Sequence, residues 1–396
     1  MRTLSKKFVV SNVKTEYTKP ADILMVFEDD LPVETSISYE DETSDINNVY
    51  VAHVNDVVKN IEAAFLEYEK GKIGYLSLKE IKNPVFINNK NTTKVCEGDN
   101  ILVQLIKEPI KTKYGVLSTN ISFSGKYIVF CSEGSGISVS KKIPDKEFSK
   151  DIAERLSEIA SDCSFIVRTQ AYNVSFELIY QEAINLKNKY KEIVDKARYR
   201  TAYSVMHRAE DASIAMIKEL YSDGDEIISD NELFLNKCAD DLKMYYNNVN
   251  TRLYNDKLLP LDKLYNFQGI LKEISSTNIW LKSGAYIVIE HTEAMTVIDV
   301  NTGKCIKGKN SENTFLSINL EAGKEILRQL RLRNISGIIM CDFINMESEK
   351  DDQELIKSLK MYADKDRLKV NIVGLTKLKL MEITRKKVKE RIILKK

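Results

Sequence analysis

Two short apolar runs that end alike, joined by one amphipathic helix, constrain this chain more than any other feature. The first reads Met295-Thr-Val-Ile-Asp299-Val-Asn301-Thr-Gly303-Lys304, the second Gly337-Ile-Ile-Met-Cys-Asp342-Phe-Ile-Asn345-Met346. Between them, residues 314–333 carry Phe315, Ile318, Ala322, Ile326 and Leu330 on one helical face. Strand, helix and strand in that order predict parallel neighbours with a right-handed crossover. Asp299 and Asp342 are then expected near the carboxyl ends of adjacent strands, where open α/β sheets bind ligands. Two carboxylates brought together repel unless a cation or a proton sits between them. Mg²⁺ suits such a place, because it takes one or two carboxylates, keeps several waters and shares a phosphate. Asn301 could orient a ligand there without adding charge. Spacing alone leaves a structural alternative open, in which both aspartates are strand-end turn residues.

The surrounding pattern is also α/β. Tyr286–Ile289 and Met295–Val300 read as a hairpin-like pair, followed later by a helix over Asp351–Ala363 and a strand over Val370–Leu375. Earlier, Val49–Val58, Ile61–Tyr68, Ile73–Leu78, Ile101–Lys107 and Val116–Ile121 read as five short strands separated by turn signals. They predict a small closed β-barrel of OB type. The first forty residues hold strand candidates at Ile23–Phe27 and Glu34–Ser38, and Ser164–Arg168 is another. Helical patterns run from about Val174 to Leu220 and from Asn231 to Tyr246.

Composition removes whole classes of function. The 396 residues are 43% hydrophobic and 30% charged, enough for a sizeable core in several domains. Only 15 glycines and 6 prolines argue against collagen and long flexible linkers. No run approaches the roughly 18 apolar residues of a membrane span, and the start lacks an apolar signal region. A cytoplasmic protein with no membrane partner is expected. The six cysteines (Cys96, Cys131, Cys163, Cys238, Cys305, Cys341) include no Cys-x-x-Cys pair, which excludes a zinc ribbon or a thioredoxin-like motif. With three histidines, His53, His207 and His291, catalysis is expected to rest on carboxylates. Net charge is +1, yet residues 28–45 hold eight acidic groups and no basic one, and residues 377–396 hold nine Lys/Arg against two Glu. A basic tail of this kind usually forms a solvated face and sometimes meets nucleic acid.

Three segments, Val297-Ile-Asp-Val-Asn-Thr-Gly-Lys304, Asn319-Leu-Glu-Ala-Gly-Lys-Glu-Ile-Leu-Arg-Gln-Leu-Arg-Leu-Arg333 and Gly337–Met346, resemble the catalytic core of the ribonuclease E/G family in order and spacing. The resemblance continues through Leu380–Lys387 and covers most of the chain. It implies that Asp299 and Asp342 are magnesium ligands (Mn²⁺ being a substitute), with Asn301 as a third catalytic residue. It implies cleavage of single-stranded RNA to 5′-phosphate and 3′-hydroxyl ends, in ribosomal RNA maturation or messenger decay. The physical logic is a cation that polarises the phosphate and offsets transition-state charge.

A hairpin centred near Lys70 pairs Phe65 with Tyr75 on the outer barrel face, with Ala64, Leu66, Leu76 and Leu78 inside. Paired exposed aromatics form a stacking platform for bases, and Lys107 and Lys113 can meet phosphates. Aromatics and lysines at matching positions bind RNA in the family, although a plain cross-strand pair is the structural alternative. Ser164-Phe-Ile-Val-Arg168-Thr169 resembles the family's pocket for a 5′-monophosphate, which Val139 would complete through its backbone. Three departures stand out. Ser138 replaces a glycine, Asn345 replaces an acidic residue, and no zinc-linking cysteine motif follows Lys387, so no zinc is expected. The chain stops at Lys396, which leaves room for a homodimer and argues against a tetramer.

The resulting expectation is an α/β and α+β multidomain protein: an RNase H-like scaffold with an inserted OB-fold and a 5′-sensor region, then a DNase I-like catalytic block. Residues 1–45 and 221–278 would form the RNase H-like part, 46–123 the OB-fold of ribosomal S-one type, 124–220 the sensor region and 279–396 the catalytic block with its basic tail. The competing expectation is an RNA-binding protein of the same fold that has lost cutting.

Overall fold

Apolar residues at every second position build the barrel of the central part of the chain. In Ala63–Glu69, Ala64, Leu66 and Tyr68 are buried while Phe65, Glu67 and Glu69 lie on the other face. The computed structural model describes residues 5–39, 45–87, 90, 92–109, 113–303, 311–388 and 391–395, with backbone alone at 311–313. It divides into two units, residues 43–219 and residues 1–42 with 220–396.

In the 43–219 unit, strands Val49–Val58, Ala63–Glu69, Lys72–Ser77, Gly115–Ser118 and Asn100–Lys107 pair in that order. The first pairs again with the last, from Val49 opposite Gln104 to His53 opposite Asn100, so the sheet closes into an OB-like barrel. Ala52, Val54, Leu66, Leu76, Val103 and Leu105 fill it. Leu78, expected inside, sits in a 3₁₀ turn and only packs against that core. Strand Ala63–Glu69 starts two residues later than expected, because Glu62 takes a left-handed conformation (φ 49°) after a short 3₁₀ turn.

A second sheet orders Gly136–Val139, Ser164–Val167, Ile128–Cys131 and Ser122–Ser124. Helix Phe176–Ala197 packs against it, with the Phe130 ring 5.7 Å from that of Phe165 and 5.2 Å from that of Tyr190. The buried Glu182 carboxylate accepts the backbone N–H groups of Lys126, Tyr127 and Ile128 at 2.6–3.0 Å. The helical pattern expected from 174 to 220 is broken. After Ala197, Val205–His207 instead forms a strand beside Val49 and Tyr50, and a second helix covers Ala212–Leu220.

In the other unit, a five-stranded sheet runs Thr251–Leu253, Glu226–Ser229, Lys6–Val13, Ala21–Glu28, Leu31–Tyr39. Lys6–Val13 was absent from the expected strands; its partner Glu226–Ser229 lies more than two hundred residues away, pairing in parallel. Helix Phe267–Ser275 seats Phe267, Ile270 and Leu271 on this sheet, against Val9, Ile23 and Met25.

The remaining sheet has six strands in the order Asn278–Trp280, Tyr286–His291, Thr296–Asn301, Gly337–Asp342, Leu380–Arg385, Val370–Leu375. Helices Ser311–Leu332 and Glu349–Ala363 bury Ala322, Ile326, Leu355 and Leu359 in the same core as Ile298 and Ile339. The alternate residues Val297, Asp299, Ile338 and Asp342 remain exposed on the opposite face. The basic tail is not simply solvated. Leu380–Arg385 lies inside the sheet, and Arg385, 2% exposed, grips Asp366 at 2.7 Å and donates to the Ile335 carbonyl at 3.0 Å.

Candidate functional site

Strands Thr296–Asn301 and Gly337–Asp342 pair in parallel with Asp299 directly opposite Asp342. Their inward neighbours Ile298, Val300 and Cys341 anchor the strands, so strand alternation forces both carboxylates onto the open face. Adjacent strands lie about 4.8 Å apart, which sets two negative groups side by side. Asn301 Nδ2 donates to Asp299 Oδ2 at 2.6 Å, so its first task is to fix that carboxylate. Among the described residues no group of three or more His, Cys, Asp or Glu side chains could hold a metal. A two-carboxylate donor set suits a hard, partly hydrated cation and not a four-ligand zinc site.

Two supports were not assigned a role from sequence. Gly303 follows the first strand at φ 57°, and a β-carbon there would collide with the Gly284 carbonyl in the neighbouring hairpin. Asn319, fully buried on the crossover helix, donates to the Ile344 carbonyl at 2.8 Å and accepts the Ile344 N–H at 3.0 Å. It therefore pins the chain that leaves Asp342. Its signal was a polar residue among the buried positions of an apolar helical face. Asn345 is exposed in the pinned segment. Lys304 and Cys305 lie outside the described residues. His291 bonds Thr296 at 3.0 Å; burial and the neighbouring Arg391 and Arg333 push its pKa down.

In the 43–219 unit, Phe65 lies opposite Tyr75, with ring centroids 6.2 Å apart. Tyr114, outside every expected strand, stacks edge-on to Phe65 at 5.3 Å and is 54% exposed. Lys107, at the end of strand Asn100–Lys107, and Lys113, beside Tyr114, are exposed. Val139 lies opposite Val167 in parallel register, immediately before Arg168. Thr169 is exposed and its hydroxyl meets that of Ser140 at 3.0 Å. Arg168 donates to the Gly125 carbonyl at 2.8 Å and to Glu219 at 2.7 Å. Ser138 sits in ordinary extended backbone, so its position does not require a glycine.

The arginines of the 326–333 segment are structural. Arg331 joins Glu28 at 2.9 Å and the buried Glu34 at 3.1 Å; Arg328 pairs with Glu273 and Glu325. Arg333 donates to the carbonyls of Ser276 and Glu273, and burial pushes its pKa down to about 10. A cavity of about 420 Å³ lined by Arg328, Arg331, Glu28, Glu325 and Trp280 does not include the aspartate pair. An open face suits a polymer threaded past the site, whereas a closed cavity suits a small ligand.

The sequence model of the ribonuclease E/G family matches residues 122–388. Ribonuclease G of Haemophilus influenzae is 30% identical over 363 residues, spanning 87% of this chain and 73% of that protein. Ribonuclease G of Escherichia coli is 30% identical over 365 residues, 88% of this chain and 74% of its own. Ribonuclease E of Synechocystis is 30% identical over 355 residues, 86% of this chain and 52% of its own. With a match of that extent running through both aspartate strands and the helix between them, the chain belongs to the ribonuclease E/G family.

Proposed function

We propose that this chain is a magnesium-dependent endoribonuclease that cuts single-stranded RNA to 5′-phosphate and 3′-hydroxyl ends, in cytoplasmic ribosomal or messenger RNA processing or decay. The observation that carries the reading is the registered pair Asp299 and Asp342 on an open sheet face. These two carboxylates would hold the ion, which when bound polarises the scissile phosphate and offsets the charge of the in-line transition state. The chain's own part is positional. Asn301 orients the Asp299 carboxylate, and Asn319 holds the segment after Asp342. The Phe65, Tyr75 and Tyr114 rings offer π-faces to bases, with Lys107 and Lys113 for phosphates. In our reading the five-stranded sheet is the RNase H-like part and the six-stranded sheet the DNase I-like block, with boundaries as expected from sequence.

The test is incubation of a 5′-monophosphorylated, A/U-rich RNA with and without Mg²⁺. Asp299→Asn and Asp342→Asn should each abolish cutting and leave binding of uncut RNA within about twofold of wild type. Wild-type cutting by either variant would sink the assignment. The second reading is a binding protein that no longer cuts. Asn345 favours it, since an amide there adds no charge to the metal's surroundings.

End-sensing must share Arg168 with two structural ties, to the Gly125 carbonyl and to Glu219. Three of its five N–H groups stay available to a terminal phosphate. Arg168→Ala should erase any preference for 5′-monophosphate over 5′-hydroxyl RNA while the 5′-hydroxyl rate holds. Equal slowing of both substrates, with a lowered melting temperature, would make Arg168 a structural tie.

A further inference from the structure

The aspartates occupy only part of the open face of the six-stranded sheet. Cross-strand register puts Trp280 opposite Tyr286, and Tyr286 opposite Asn301. The next row places Asn278 opposite Val288, Val288 opposite Asp299, and Asp299 opposite Asp342. Directly opposed residues share a face, so Trp280, Tyr286 and Asn301 form one lateral row beside the row of the carboxylates. The inward alternates Ile279, Ile287, Ile298 and Val300 confirm which way the row faces.

Trp280 is the chain's single tryptophan, and it is 69% exposed on an edge strand. Its ring stands 5.0 Å from that of Tyr286, at 48° between planes. Burying an indole inside would have gained the most apolar area of any side chain. Two strand spacings and one two-residue step separate the Trp280 and Asp299 backbones, about 12 Å in all. That is the scale of the nucleotides flanking a phosphate held at the aspartates. Asn301 lies between, touching both the Tyr286 row and the Asp299 carboxylate.

We propose that Trp280 and Tyr286 form a base-stacking platform beside the cleavage site, which seats a nucleotide flanking the scissile phosphate and so helps set where the strand is cut. The proposal rests on the reading of Asp299 and Asp342 given above. The occupant is an unpaired nucleobase. An exposed indole and phenol side by side are what every base can stack on, independent of its hydrogen-bonding edge. The platform therefore gives registration along the strand more than sequence choice. Continuity with the Asn301–Asp299 contact ties it to the reacting phosphate.

The single tryptophan supplies a direct readout. The full chain, in EDTA so that RNA stays uncut, is titrated with an A/U-rich oligoribonucleotide while indole emission and the anisotropy of a labelled RNA end are both followed. Saturable quenching that tracks the anisotropy supports the platform. With Mg²⁺, Trp280→Ala should raise KM about tenfold and scatter the cut sites, while Trp280→Phe keeps most of the wild-type behaviour. A scan of single abasic nucleotides across the cut site should find one position whose loss costs wild type about tenfold but adds nothing in Trp280→Ala. Cutting at wild-type KM and positions by Trp280→Ala, or equal abasic penalties in both proteins, overturns the platform and leaves the nuclease reading intact. Quenching by RNA in a protein that never cuts keeps the platform and overturns the nuclease reading. RNA binding with unchanged indole emission overturns the platform alone.

Discussion

A buried or half-buried polar side chain states its cost through its partners, as His207 does. His207 stands edge-on to the Phe123 ring at 5.2 Å, and Lys189 lies over the same ring. Burial first, and the Lys189 charge second, push the His207 pKa down from 6.5 to about 4. The unfolded chain therefore binds a proton between these values that the folded chain refuses. Stability is unaffected above pH 6.5 and falls as pH drops from about 6.5 to 4. For a half-buried group the loss is about 1–3 kcal/mol once solvent screening is allowed for. His207→Gln should flatten this part of the profile. Urea melts of both proteins at pH 7 and pH 4.5 check it, since carboxylate titration is common to the two. Equal losses would mean that His207 protonates freely in the fold.

Among the elements, the crossover helix Ser311–Leu332 does two jobs that its apolar stripe does not announce. The stripe Ile318, Ala322, Ile326 and Leu330 was legible by period, and the parallel pairing of its flanking strands by their strand-helix-strand order, whereas the register that sets Asp299 opposite Asp342 was not. Asn319 was not, because its value comes from a backbone segment twenty-five residues on. Asn319→Ala would leave the Ile344 N–H and carbonyl without this partner, at about 1–3 kcal/mol for each group left unsatisfied. The expected result is a lower melting temperature together with a kcat down about tenfold as the segment after Asp342 loosens. A thermal melt and steady-state rates measure both, and an unchanged kcat would reduce Asn319 to a packing residue. The arginines near the end of this helix tie it to its own unit. Arg328 and Arg331 in the helix, and Arg333 just after it, are each spent on carboxylates or carbonyls of this unit. Strand Lys6–Val13 escaped for a related reason: its partner is remote, and burial on both faces hides the alternation that marks a strand. In the tail, Leu380–Arg385 looked solvated because charge counts do not show that Arg385 points at Asp366.

Over the whole molecule, the proposed barrel platform of Phe65, Tyr75 and Tyr114 belongs to one unit, and the proposed metal-binding pair Asp299 and Asp342, with Trp280 and Tyr286, belongs to the other. A net charge of +1 gives little general attraction for RNA. Affinity must then come from local cations and from rings, and these two contributions answer differently to salt. Each phosphate neutralised on a single strand adds about 0.7 to the slope of log K against log salt. Stacking adds affinity of about 1–3 kcal/mol per base with little charge involved. Lys113→Ala should therefore make the salt dependence shallower by about 0.7 and matter least at high salt. Tyr114→Ala should lower affinity by about tenfold at every salt concentration and leave the slope alone. Neither change should alter kcat once RNA saturates the protein, because in the proposed roles both groups act in binding and not in the cutting step. Binding titrations of uncut RNA across a salt series, followed by saturating kinetics with Mg²⁺, distinguish the cases. A Tyr114→Ala protein whose slope changes would show that the ring acts by holding a lysine in place, and one whose kcat falls would show that barrel and aspartates work as a single site.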